Sequence, residues 1–233
     1  MVTAMADFIP PYHYVSVDTA LEFIDTLEFE RGGEVEHLPT TAAAIDWLHA
    51  QGLLHEPLEP EVEALRIPGP AADRALDRIR RVRAALREIV VAAVEHRPAS
   101  SRSIDLVNRT LLARQRFLLV CGPGGVLDHR HEGDAIDDVL ARIAERVARQ
   151  VIAPDVDRLR ICANDTCRWV FYDSSRTGRR RWCTMASCGN RAKAARHRAR
   201  ARVGAAGKAL TGAAVTGAAL TGAAATGETA RPA

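Results

Sequence analysis

Four cysteines within 27 residues constrain this chain more than any other feature of it. Cys162, Cys167, Cys183 and Cys188 are spaced C-x4-C, then fifteen residues, then C-x4-C. Each close pair delivers two thiolates from one tight knuckle, and the chain between is long enough to bring the knuckles together, as a tetrahedral metal ion requires. The spacing therefore predicts one structural zinc ion held by four thiolates. A filled coordination sphere leaves no place for a catalytic water, so hydrolysis at this metal is not expected. An iron–sulfur cluster, redox pairs or four unrelated core cysteines are the rival readings of the same residues.

The charge distribution marks the same segment. The chain of 233 residues has a formal charge of only +3, yet residues 1–157 carry 17 basic against 26 acidic side chains, a net of −9. Residues 158–202 carry 13 basic side chains against Asp165 and Asp173 alone, a net of +11. An acidic body is joined to a basic module. With 47% hydrophobic residues the chain can bury a large core, which excludes a collagen, a disordered polyelectrolyte and a disulfide miniprotein. Met1 to Tyr14 lacks a basic start, contains Asp7 and is broken by Pro10 and Pro11, so no signal peptide is expected there. The expected setting is reducing and cytoplasmic. Residues 209–227 are uncharged over 19 positions, about a bilayer's width, but Thr-Gly-Ala-Ala recurs from Thr211, Thr216 and Thr221. Glycine at that density disfavours a helix, so 205–233 reads as a disordered low-complexity tail and no membrane association is expected.

Before the cysteines the pattern is mostly helical. Asp18 or Thr19 starts a helix carrying Leu21, Phe23, Ile24 and Leu27, expected to end before Gly32-Gly33. Thr40 or Thr41 caps a second, with Ile45 and Trp47-Leu48 buried and Gly52 as its stop. The longest runs from about Ala72 to Val94, its arginine-rich face expected in solvent, and a short helix covers Ser103 to Ala113. The period then changes: Arg116 to Val120 and Val126 to Arg130 flank Cys121-Gly-Pro-Gly-Gly125 and predict a hairpin. Asp134 caps a last helix that stops before Pro154. The fold class is thus mainly α (α+β): a helical amino-terminal domain with one β-hairpin over 8–153, then a small zinc-bound hairpin and helix over 158–204.

Between the knuckles, Trp169 to Tyr172 is expected to be a strand, Asp173 to Gly178 a turn, and Arg179 to Trp182 the returning strand. A segment so small needs the metal to fold. At Cys188-Gly-Asn-Arg191, reached after Cys162, Cys167, Trp169, Asp173, Ser175 and Arg181-Trp182-Cys183, residues 160–202 resemble the CGNR-type zinc finger. Upstream, Leu21 to Thr26 followed by Ile45-Asp-Trp-Leu48 and Gly52-Leu53 resembles the start of the ABATE domain, with Asp25 where that family is expected to have asparagine. The resemblance implies a bacterial stress-induced transcription regulator.

Residues 190–202 are rich in helix formers, with Asn190 available as a cap. On a helix Arg191, Arg198 and Arg202 share one face and Lys193, Arg196 and Arg200 the opposite one. Ala192, Ala195 and Ala199 form a narrow stripe between them, fit to lie against an aromatic hairpin. Such a helix suits a major groove with phosphates on both flanks. Arg191, Lys193, Arg196, Arg198 and Arg200 are the expected DNA contacts, with Arg179, Arg180 and Arg181 as further phosphate contacts. The expectation is a DNA-binding, nucleoid-associated regulator that is not an enzyme, its body sensing a small-molecule effector or forming a homodimer. The alternative is a ligand-binding or catalytic body with the finger as an RNA or protein docking module. The opposite charges further suggest that the body masks the finger. His129 and His131 read as a polar strand end, and Cys121 as a bystander.

Overall fold

The computed structural model describes residues 15–30, 33–54, 58–113, 116–121, 125, 127–132 and 134–202; of the side chains in 116–120 and 127–132 only the backbone course is described. His129, His131 and the expected tail at 205–233 thus lie outside what is described of side chains or of chain. Contacts divide the protein into two compact units, residues 1–183 and 184–233.

The first unit is built from helices whose ends follow their caps. Helix α1 (Val17–Asp25) starts at Ser16, whose Oγ accepts from the Thr19 amide, two residues earlier than expected. It also ends earlier. Leu27–Glu30 (β1) pairs antiparallel with Gly33–Glu36 (β2), Leu27 opposite Glu36 and Glu30 opposite Gly33. The expected continuation of α1 to Gly32 is therefore a second hairpin: Leu27 and Phe29 alternate with glutamates at the period of a strand, and Gly33 takes φ +123°, which its missing Cβ permits. Helix α2 (Thr41–Ala50) is capped by Thr40 and followed by Gly52 at φ +66°. A short α3 (Pro60–Ala64) precedes α4 (Pro70–Val94), which has proline in its first turn, where no amide is missed. Ser100 caps α5 (Ser101–Leu112). The expected hairpin forms as β3 (Arg116–Cys121) against β4 (Leu127–Glu132), and Asp134 caps α6 (Ala135–Val151).

Helix α4 touches α1, α2, α5 and α6. Its Ile79, Val82, Leu86 and Val90 are buried with Phe23 and Ile24 of α1, Ile45 and Leu48 of α2, and Ile136, Leu140 and Ile143 of α6. Its arginine-rich face is not wholly solvated, contrary to expectation. The Arg83 side chain is 5% exposed and forks onto the Glu36 carboxylate at 2.7 and 2.5 Å, its Nη1 also donating to Thr26 Oγ1. A buried guanidinium is tolerable only when paired in this way.

After a single turn at Val156–Arg158, Leu159–Ile161 (β5) pairs antiparallel with Val170–Tyr172 (β6), Leu159 opposite Tyr172 and Ile161 opposite Val170. Here the sequence reading is corrected: the strand at 170–172 pairs with the chain before the first cysteine, and Arg179 to Trp182 is not a strand. Leu159 and Val170 belong to the same hydrophobic core as α1, α4 and α6, and β6 packs on α1.

In the second unit a wide, five-residue turn (Met185–Gly189) leads without interruption into a helix over 190–202, α7. No described helix is long and apolar enough to cross a membrane.

Candidate metal centre

The first knuckle is the turn of the β5–β6 hairpin. The Cys162 amide donates to the Trp169 carbonyl at 2.8 Å, adding a rung beyond Ile161. Inside that rung the Asn164 carbonyl accepts from the amides of Cys167 and Arg168, and Arg168 takes φ +53°, turning the chain back toward β6. The knuckle is joined to the second pair by the Ala163 amide, which donates to the Arg181 carbonyl at 2.9 Å.

The second knuckle uses different geometry. Thr184 Oγ1 accepts from the Ser187 amide, and the Gly189 amide donates to the Thr184 carbonyl, closing a turn one residue wider than an α-helical one. Cys188 sits in that turn, buried, with Gly189 buried beside it. Thr184 therefore caps this element. Asn190, expected as the cap, already has helical φ and ψ, and its Nδ2 donates to the Ala186 carbonyl.

All four sulfurs lie within 4.8 Å of one another, all four residues are buried, and none of the cysteines is in a disulfide. Cys167 Sγ and Cys183 Sγ are 3.7 Å apart. A tetrahedron with Zn–S bonds of about 2.3 Å has edges of about 3.8 Å, so the donor set fits a zinc ion after sub-ångström to ångström closure. Burial, with Cys162 and Cys167 beside it, pushes the Cys183 thiol far above the ordinary thiol range. Thiolates this crowded demand a cation. Zinc supplies the charge that keeps them deprotonated and the crosslink between the knuckles.

Around the sulfurs the fold recruits residues that the cysteine pattern does not announce. Asp173 is fully buried; hydrogen bonds from Ser175 and the Arg180 amide hold its carboxyl below the ordinary carboxylate range. Arg158 Nη1 donates to the carbonyls of Asp173 and Ser175, and Arg160 Nη2 to that of Gly178, pinning the loop before Cys183. Arg180 Nε donates to the Trp182 carbonyl, its Nη2 to the Cys183 carbonyl, and the guanidinium lies 4.8 Å from the Phe171 ring centre. On the body side, Arg87 donates through Nη2 to the Arg168 carbonyl at 2.7 Å and through Nη1 to Asp25 Oδ1 at 3.1 Å, while Asp25 Oδ1 accepts from the Val170 amide at 3.2 Å.

The expected nucleic-acid contacts divide into two groups. Arg191, Lys193, Arg196, Arg198 and Arg200 are all exposed on α7, as are Arg179 and Arg181 in the loop, with Arg181 5.3 Å from the Trp182 ring. Arg180 is different, since its guanidinium is committed to the second knuckle. The alanine stripe is not a packing seam along its length: Ala192 is half-buried, but Ala195 and Ala199 are exposed.

A four-cysteine zinc centre carried by a hairpin turn and a wide helical turn, followed by a bare basic helix, defines a zinc-finger protein. Residues 158–201 match the CGNR zinc finger model. Residues 18–154 match the ABATE model, described as "Putative stress-induced transcription regulator", over more than half of the chain. The protein belongs to the ABATE family and carries a CGNR zinc finger. A search of the curated proteins finds no match.

Proposed function

We propose that this protein is a non-enzymatic transcription regulator that binds duplex DNA through α7. The observation that carries this reading is the exposure of Arg191, Lys193, Arg196, Arg198, Arg200 and Arg202 on one short helix that contains no acidic residue. None of them is in an ion pair among the described residues, so their charge is uncompensated there. Two rows of cations along one helix match the two phosphate strands that border a major groove. Arg179 and Arg181 extend the cationic surface, whereas Arg180 serves the knuckle. In this reading the zinc centre holds the start of α7 and takes no part in chemistry, and the protein acts at the nucleoid in the cytoplasm.

The test is binding of the zinc-loaded, full-length protein to a mixed-sequence duplex library across a salt series. Affinity should fall steeply with salt, because each neutralised phosphate releases counterions, and Arg198→Ala should flatten the log–log slope by about one unit. Absence of binding at low salt, or an affinity indifferent to salt, would refute DNA binding; preference for single-stranded RNA would replace it with the docking reading.

A further inference from the structure

A cavity of about 290 Å³ lies where α1, β1, α4 and the first zinc knuckle meet. Ile24, Phe29 and Ile161 are among its apolar lining, and its charged lining is Arg83, Arg87, Arg97, Arg168 and Glu88, with Arg83 held by Glu36. This volume is near the lower end of the range for small-molecule sites. Four guanidinium-bearing residues against one carboxylate, Glu88, itself paired with Arg97, disfavour a cationic ligand, and the apolar lining gives an uncharged one little polar to recognise.

The commitments of the arginines narrow the ligand further. Arg97 is held by Glu88 at 2.9 Å and Glu95 at 2.8 Å. Arg87 is held by Asp25 and the Arg168 carbonyl, and its guanidinium lies 4.7 Å from the Phe29 ring centre. The guanidinium of Arg168 has no ion pair or hydrogen bond among the described residues, although its backbone is fixed by the knuckle. One uncommitted cation beside an apolar pocket matches a ligand with one negative charge and an apolar body. A dianion or a phosphate ester would need further uncommitted donors.

We propose that this cavity is a binding site for a small monocarboxylate with an apolar body, its carboxylate paired with Arg168 and its body against Ile24, Phe29 and Ile161. The site is independent of DNA binding. Arg168 directly follows the zinc ligand Cys167, so the site adjoins the metal centre through one peptide bond.

Calorimetric titration of the zinc-loaded, full-length protein with benzoate, benzamide and benzylamine tests the site, since the three probes differ chiefly in charge on a similar ring. Benzoate should bind once per chain, at least tenfold more tightly than benzamide, and benzylamine should not bind. Arg168→Asn removes the charge and tolerates the positive φ at that position; it should weaken benzoate at least fivefold and leave benzamide unchanged. Ala84→Trp fills the cavity from an exposed position on α4 and should abolish benzoate binding without lowering the melting temperature. No saturable binding of benzoate, equal binding of benzylamine, or benzoate binding that survives both substitutions would overturn the proposal.

Discussion

Asp25 is 4% exposed and carries a carboxylate between an amide and a guanidinium, the Val170 N–H and Arg87. Burial pushes its carboxyl up from 3.8 to about 7, against the opposing pull of those two donors. An acid whose folded value lies above its unfolded one binds more protons when folded, so its contribution to stability is full below about pH 4 and is lost as the pH rises toward 7 and beyond. Asp25→Asn keeps the Oδ1 acceptor for both donors and cannot ionise. The stability of the wild type relative to Asp25→Asn should therefore fall by about 2 kcal/mol between pH 5.5 and 8, read from denaturant midpoints of the zinc-loaded proteins. A pH-independent difference would mean that Asp25 is not desolvated as the fold implies. Sequence alone marks this position only by its departure from the asparagine expected in the family. The cysteine quartet was legible because spacing by itself encodes a tetrahedral site. Arg87 was not, since its partner Arg168 lies 81 residues away and nothing local distinguishes it from the solvated arginines of α4.

At the scale of elements, the helices were legible from their capping residues, and the errors fall where strands are short. β1 and β2 have four residues each and β5 and β6 three, too few for a period to stand out. The Gly32-Gly33 pair between alternating residues was the available signal for the first hairpin. For the second, Leu159-Arg-Ile161 alternates just ahead of Cys162, but its choice of partner is set by packing on α1 rather than by its own sequence. A fragment of residues 153–204 would lose that packing: Leu159 and Val170 would leave the core and Val170 would lose Asp25. It should be less stable than residues 1–204 by about 3 kcal/mol or more at saturating zinc, seen as lost amide protection in β5 and β6. Equal protection in the two would contradict the shared core. The fragment is consequently a poor probe of masking by the acidic body, and the salt series on the intact protein is the better one.

For the whole molecule, the charge division at residue 157 and the division of contacts after Cys183 do not coincide. Composition reports where basic residues accumulate; contacts report that β5, β6 and three of the four cysteines belong with the helical body. The zinc centre is thus tied to a large hydrophobic core through Arg87, Asp25 and Val170, while none of the described residues from Thr184 onward belongs to that core. Metal removal should act unequally on the two. The decisive measurement is native mass spectrometry with hydrogen exchange on the full-length protein before and after chelation. One zinc ion per chain is expected, with chelation stripping protection from 183–202 while the buried segments of α4 and α6 remain protected. A chain isolated without zinc that cannot be loaded, or an exchange pattern over 183–202 indifferent to the chelator, would contradict a structural zinc centre built on the four cysteines.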